Sequence, residues 1–259
     1  MKNILRSILF EIKRSELLWI LYILMAVFMA SLSALISING GHTEDLYISS
    51  PTLMFMYPIF IIGAVTGIVC CSGMRDKVAN YELLAGHSRE QFYFARFICS
   101  VLLATLLAFS MSFIPMIFGN IIFGWGEKLA FSDIFARQLL FVFPFVRLAA
   151  FFVCVSFAVK NELAMIAAGF GMCIATPVML SFFGDVPGSV FVSIYNLNYL
   201  MDMTDWGIYN VSPAGIKEYK TIVSTINPDM VTGTIAVSFL MTVIYMILGY
   251  GLFRRSDLD

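Results

Sequence analysis

The chain has 259 residues, of which 60% are hydrophobic and 13% are charged, and its formal net charge is −1. Soluble domains carry about 25% charged residues. The composition therefore excludes an ordinary soluble protein and predicts a membrane protein.

Residues 1–16 have the pattern of an amphipathic helix. Apolar side chains recur at helical spacing, and basic side chains lie largely off that stripe. We expect this helix to lie at the membrane interface, with its basic residues toward anionic lipid headgroups. The alternative is a cytoplasmic extension of the first membrane span. The apolar stripe consists of Ile4, Leu5, Ile8, Leu9 and Ile12.

Six apolar runs follow, each long enough to cross a bilayer, which takes about 20 residues. A seventh apolar run, residues 186–201, is shorter and contains two asparagines, so we expect it to be re-entrant or interfacial. The predicted spans are residues 17–41, 46–74, 97–126, 138–159, 163–184 and 230–253.

The basic residues predict the orientation of these spans. With the N-terminus inside, eleven Lys and Arg lie in cytoplasmic segments and four in outer segments, which agrees with the positive-inside rule. An even number of spans then places both termini in the cytoplasm. We expect residues 1–259 to form a single transmembrane domain, in which residues 185–229 are an outer segment of short helices packed on the membrane surface.

The loop between the second and third spans, residues 75–96, is rich in charge. Apolar side chains within it are spaced to share one face of a short helix, which Gly86 can end because glycine adopts a left-handed backbone at little cost. Ser88 and Gln91 have the spacing of a capping box that begins the next helix. The pattern predicts a short cytoplasmic helix followed by a span.

Arg147 lies near the middle of the fourth predicted span. An ionised side chain at that depth is costly, so it should face protein or water rather than lipid. Two interpretations remain open. Arg147 lines a cavity or a subunit seam that meets polar parts of a substrate, or it forms structural hydrogen bonds and ion pairs within the protein.

The residues that enzymes use for catalysis are sparse. The two histidines, His42 and His87, are far apart, and no His and Glu cluster has the spacing of a metal site. No Gly-x-Ser-x-Gly nucleophile motif and no Gly-x-x-x-x-Gly-Lys-[Ser/Thr] phosphate-binding loop occurs. We expect no catalytic site, no metal and no cofactor in this chain, so energy for any work must come from another protein.

Several short motifs resemble those of the ABC-2-type transporter permeases. Residues 81–91, Tyr-Glu-Leu-Leu-Ala-Gly-His-Ser-Arg-Glu-Gln, are similar to the family's coupling-helix segment, and family members often have a lysine near the position of Arg96. Asn227-Pro228 before the last span and residues 253–258 after it, Phe-Arg-Arg-Ser-Asp-Leu, resemble the family's C-terminal end. The order of elements agrees along nearly the whole chain.

This resemblance implies an all-α fold of the type V exporter kind, with an N-terminal interfacial helix, six transmembrane helices and a cytoplasmic coupling helix. It also implies the permease subunit of a bacterial exporter of peptides, antibiotics or lipid-like molecules. ATP and Mg²⁺ would be bound by two copies of a separate P-loop ATPase, and a second permease chain, identical or related, would complete the complex in the cytoplasmic membrane. No nucleic acid is expected as a partner. The resemblance assigns ATPase coupling to Asp76, Tyr81, Glu82, Leu84, His87, Arg89 and Glu90. The alternative is a membrane scaffold or sensor that transports nothing.

Overall fold

The computed structural model describes residues 2–38, 42–49, 53–75, 84–86, 88–127, 130–183, 204–211, 217–223 and 228–255. These residues form nine helices of seven residues or more and one two-stranded antiparallel sheet. The helices are α1 Lys2–Arg14, α2 Glu16–Ile38, α3 Thr43–Ser49, α4 Leu53–Arg75, α5 Arg89–Phe123, α6 Phe131–Leu140, α7 Val142–Val159, α8 Glu162–Phe183 and α9 Pro228–Arg255. The strands are β1 Thr204–Val211 and β2 Lys217–Val223.

Three helical stretches within the described residues are long and apolar enough to cross a membrane. They are Arg89–Phe123, Phe131–Val159 and Val231–Arg255. A fourth results if α1 and α2, which are bent by 58° at their junction, are counted as one span. The chain is therefore a helical, membrane-embedded protein, and the predicted number of six spans stays a prediction.

The most thoroughly buried helix is α4. From Pro58 to Ser72 every residue is buried, so this helix has no outward face along that stretch. A helix that is buried all round is a central element of its fold. Its neighbours are α8, α5 and α7, and the closest approach is to α8, where Gly63 meets Gly169. Small residues at such a crossing allow two backbones to come within van der Waals contact.

At one end of the packed helices, the start of α5 lies beside the ends of α4 and α9. Ser72 on α4 bonds to Glu11 on α1, and Arg89 on α5 bonds to the carbonyl of Arg254 on α9. We call this the Arg96 end, after the buried arginine two turns into α5. The α1 helix packs here with Ile4, Ile8 and Ile12 buried against protein, whereas Leu9 is exposed. The predicted apolar stripe is therefore divided between a protein contact and an exposed face.

The opposite end, which we call the Trp125 end, is closed by α3. The Thr43 amide and hydroxyl donate to the Gly124 carbonyl at 3.3 and 2.8 Å, and the Glu44 amide donates to the Trp125 carbonyl at 3.4 Å. The Tyr47 and Trp125 rings lie 5.9 Å apart. Residues 46–49, which the sequence assigned to the second span, thus belong to a separate short helix that packs on the end of α5.

The predicted span 138–159 contains an irregular turn at Phe141, between α6 and α7, within the longer helical stretch Phe131–Val159. Pro144 explains the irregular turn, because proline has no amide hydrogen for the carbonyl three to four residues earlier and its ring crowds that carbonyl. The helical bonding continues around Phe141, whose amide donates to the carbonyls of Arg137 and Gln138 and whose carbonyl accepts from the Phe145 amide.

The prediction of short helices before the last span is wrong for the residues that are described there. Residues 204–211 and 217–223 are antiparallel strands, with Trp206 paired to Thr221 and Ile208 to Tyr219. Both strands are rich in β-branched and aromatic residues, which favour the pleated conformation. The predicted re-entrant stretch 186–201 lies outside the described residues.

Candidate functional site

The start of α5 is fixed by the capping box that the sequence predicts. The Ser88 hydroxyl accepts a hydrogen bond from the Gln91 amide at 3.2 Å, and the Gln91 side chain accepts one from the Ser88 amide at 3.4 Å. Gly86 has a φ of +89°, the left-handed conformation expected of a helix end. The capping box is confirmed, and Gly86 has the predicted left-handed backbone, whereas most of the helix that it was expected to end lies outside the described residues. The first residue position of α5 is therefore fixed by reciprocal hydrogen bonds between Ser88 and Gln91.

The first turn of α5 is bonded to the last turns of α9. Arg89 Nη1 donates to the Arg254 carbonyl at 3.4 Å, and the Tyr250 hydroxyl donates to Glu90 Oε1 at 2.9 Å. The structure thus brings together two of the predicted coupling residues, Arg89 and Glu90, and attaches both to the C-terminal end of the last helix.

An aromatic cluster lies directly behind this contact. It joins the first two turns of α5 to the ends of α7 and α9, with the Phe92 and Phe253 rings stacked 5.5 Å apart and Phe157 lying 4.9 Å from Tyr93 and 5.1 Å from Phe253. Aromatic pairs at these separations add about 0.5–1.5 kcal/mol each beyond their buried area. The cluster comprises Phe92, Tyr93, Phe94, Phe97, Phe157, Tyr250 and Phe253.

Tyr93 is the buried anchor of this cluster. Its hydroxyl donates to the Met246 carbonyl on α9 at 2.8 Å. Gly249 makes the approach possible, because a Cβ atom there would lie 2.7 Å from the Tyr93 hydroxyl and 3.2 Å from Cys154 Cα. The helix α9 is therefore held against both α5 and α7 at this level.

A polar clamp on the other side of α5 consists of Glu11, Ser72 and Arg96. The Arg96 guanidinium is fully buried, donates to the Val69 carbonyl on α4, and lies 4.8 Å above the Phe92 ring. Its Nη2 is 4.0 Å from Glu11 Oε2, and the Ser72 hydroxyl donates to Glu11 Oε1 at 2.7 Å. The clamp joins α1, α4 and α5.

The clamp stabilises the fold mainly through the buried contacts of Arg96. Glu11 is 34% exposed, so its ion pair with Arg96 is screened by solvent and contributes little. Hydrogen bonds from a charged group are stronger than neutral ones, and the cation–π contact with Phe92 adds to them. Ser72 and Arg96 lie on either side of residues 76–88 in the chain. The clamp therefore holds together the end of α4 and the start of α5, which precede and follow that segment.

The remaining predicted coupling residues are distributed as follows. Leu84 is 84% exposed, which leaves its side chain available to another protein. Asp76, Tyr81, Glu82 and His87 lie outside the described residues. Their assignment to ATPase coupling stays a prediction.

Arg147 is fully buried in α7 and lies apart from the Arg96 end. It interacts electrostatically with Tyr245 on α9, whose ring packs 5.3 Å from that of Phe151, one turn along α7. Arg147 thus lies in a seam between two helices of one chain. Whether it acts on a substrate stays a prediction, as does its structural alternative.

Arg96 is the residue that the sequence did not identify as part of the site. It lies in the charged loop 75–96 that the sequence predicts, and the position of Glu11, 85 residues earlier, has no local signal. Among the described residues, no group of three or more His, Cys, Asp or Glu side chains could hold a metal ion. The arrangement is suited to a mechanical connection between helices and the segment that precedes α5.

Comparison with known proteins does not identify a family for this chain. No model of a known protein family matches the sequence, and no characterised protein is significantly similar to it.

Proposed function

We propose that this chain is the permease subunit of an ABC-2-type exporter. It moves a peptide, antibiotic or lipid-like substrate across the bacterial cytoplasmic membrane, driven by a separate P-loop ATPase. The observation that carries the proposal is the rigid connection at the start of α5. The capped turn at Ser88 is bonded to α9 through Arg89 and Glu90. Two turns later Arg96 is bonded to α4 and lies 4.0 Å from Glu11 on α1.

This connection supports transmission of force. Interfaces and packed cores tend to be bistable rather than continuously deformable, so a displacement at one point moves whole elements. A push on residues 76–88 would reach α5 directly, α9 through the aromatic cluster, and α4 and α1 through the clamp. An ATPase that docks on this segment could therefore change the arrangement of several membrane helices in one step.

We further propose that six helices cross the membrane: α2, α4, α5, the α6–α7 pair, α8 and α9. The helices α2, α4 and α8 have 23, 23 and 22 residues, which satisfies the length of about 20 that a span requires. The start of α5 lies beside the end of α4 through the Arg96–Val69 bond and beside the end of α9 through the Arg89–Arg254 bond, as alternating crossings require. The positive-inside rule then places this end, and both termini, in the cytoplasm.

The partner must supply ATP and Mg²⁺ binding, because the sequence has no phosphate-binding loop of the P-loop kind. We propose a complex of two permease chains, identical or related, with two ATPase subunits beneath them. The exposed Leu84 and the charged residues around it form the docking surface. An apolar anchor surrounded by a polar rim is typical of protein interfaces.

The proposal is tested by purifying the tagged full-length chain in mild detergent and identifying what co-purifies by mass spectrometry. We expect a P-loop ATPase at one copy per permease chain. Arg89→Glu should reduce the recovered ATPase. Arg6 is an exposed cation on α1, and the same change there, Arg6→Glu, should leave the amount of recovered ATPase unchanged.

The alternative, a scaffold or sensor, makes a different prediction. The chain would then be recovered alone or with a partner that has no ATPase fold. That outcome, under conditions that keep a known exporter of this class assembled, would contradict the transport proposal.

A further inference from the structure

The end of α1 carries a cleft outside the contacts described above. Phe10, Lys13 and Arg14 line it, and its volume of about 380 Å³ is in the range of small-molecule sites. Lys13 and Arg14 lie three and four positions after Phe10, so all three side chains share one helix face. The Phe10 ring is 67% exposed and both cations are exposed. The cleft therefore combines an apolar floor with two positive charges.

The position of the cleft favours a lipid over a soluble anion. The helix α2 begins two residues after Arg14, and the bend of 58° between the two helices lies at this point. Exposed apolar side chains continue along the first turns of α2, at Leu17, Ile20 and Leu24. A ligand with a phosphate on the cations could thus extend apolar chains along α2.

We propose that this cleft binds one anionic phospholipid, with its headgroup phosphate on Lys13 and Arg14 and its glycerol region on Phe10. Paired cations beside membrane helices attract anionic headgroups. Neither cation lies within ion-pair distance of an acidic side chain elsewhere in the described ranges. Both charges are therefore available to a phosphate.

The site adjoins the clamp without being part of it. Glu11, which bonds to Ser72, lies between Phe10 and Lys13 in the chain and is partly buried. Since Ile8 and Ile12 on the same helix are packed against protein, the cleft is on the opposite side of α1. A bound lipid would rest on the exposed face while the clamp occupies the buried one.

The test is lipid binding by native mass spectrometry of the full chain released from detergent, titrated with phosphatidylglycerol or phosphatidylcholine. We expect one tightly retained phosphatidylglycerol per chain and at least tenfold weaker retention of phosphatidylcholine. The double variant Lys13→Gln/Arg14→Gln removes both cations that would bind the headgroup phosphate. It should weaken phosphatidylglycerol binding by about tenfold or more.

The matched control is Arg254→Gln/Arg255→Gln. This pair also consists of two exposed cations in the last turn of a helix at the same end of the protein, so the change in net charge is identical. Equal loss of lipid in both double variants would overturn the proposal in favour of general attraction by positive charge. No loss in the Lys13→Gln/Arg14→Gln variant would overturn it outright.

A second variant separates a lipid from a free phosphate. Phe10→Ser should weaken binding of phosphatidylglycerol, because it removes the apolar floor, without affecting inorganic phosphate. Displacement of the bound phosphatidylglycerol by millimolar inorganic phosphate, with no effect of Phe10→Ser, would assign the cleft to a soluble anion and contradict the lipid proposal. These measurements read binding alone, so their outcome is independent of whether the chain transports a substrate.

Discussion

The crossing of α4 and α8 provides a sharp test of the packing, through the change Gly63→Ala. A Cβ atom at Gly63 would lie 2.6 Å from Gly169 Cα and 3.3 Å from the Phe152 ring. Carbon atoms normally pack about 3.5–4.0 Å apart, so the added methyl overlaps the α8 backbone by about 1 Å. Backbone cannot rotate away as a side chain can, and the two helices must separate.

Overpacking of this kind costs about 1–3 kcal/mol. For a chain of this size, 1 kcal/mol corresponds to a change in Tm of about 2–4 °C. We therefore expect Gly63→Ala to lower Tm by several degrees, measured in detergent by tryptophan fluorescence or by size-exclusion chromatography after heating. Gly169→Ala should have a smaller effect, because its Cβ would lie 3.2 Å from Gly63 Cα.

Gly171 is the matched control on the same helix. It is exposed, and no heavy atom would lie within 4 Å of an added Cβ. Alanine is favoured over glycine in a helix by up to about 1 kcal/mol, so Gly171→Ala should leave Tm unchanged or raise it slightly. The order of stability should be Gly171→Ala, then Gly169→Ala, then Gly63→Ala. Equal Tm values for the first and the last would refute the close approach of α4 and α8.

Three further changes probe the Arg96 end. Ser88→Ala should lower the free energy of unfolding by about 0.5–2 kcal/mol through loss of the cap, whereas Ser88→Asp, which caps equally well, should restore the wild-type Tm. Tyr93→Phe removes the bond to the Met246 carbonyl and should cost about 0.5–1.5 kcal/mol. Tyr250→Phe keeps the ring and removes only a solvent-exposed hydrogen bond to Glu90, so it should lower Tm less than Tyr93→Phe does. Arg96→Met should reduce protection of the Val69–Ser72 amides in hydrogen exchange, because the side chain no longer bonds to the Val69 carbonyl; unchanged exchange would contradict the clamp.

The features that the sequence predicted well are local ones. The cap at Ser88 and the turn at Gly86 depend on residues within a few positions of each other, and their chemistry is specific. The apolar runs likewise identified the long helices, because the length of a span follows directly from the thickness of the bilayer.

The features that the sequence did not predict depend on distant or finely balanced contacts. The partners of Arg96 lie on α1 and α4, far along the chain, and hydropathy carries no information about which helices meet. The irregular turn at Phe141 could have been expected from Pro144, although many membrane helices continue through a proline. The sequence predicted short helices where β1 and β2 lie, because an apolar, aromatic segment beside a membrane suits either structure. The β-branched residues of this segment favour strands.

Photo-cross-linking from Leu84 shows whether the segment before α5 contacts an ATPase in the membrane. A photoreactive amino acid at this position, which is 84% exposed, is introduced into the full-length chain in its native membrane, and the adducts are identified by mass spectrometry. Phe131, exposed at the Trp125 end, is the control position. If an ATPase docks on this segment, we expect a covalent adduct between Leu84 and a P-loop ATPase and none from Phe131. Adducts from Leu84 that contain no ATPase, or equal ATPase adducts from both positions, would contradict the proposed docking.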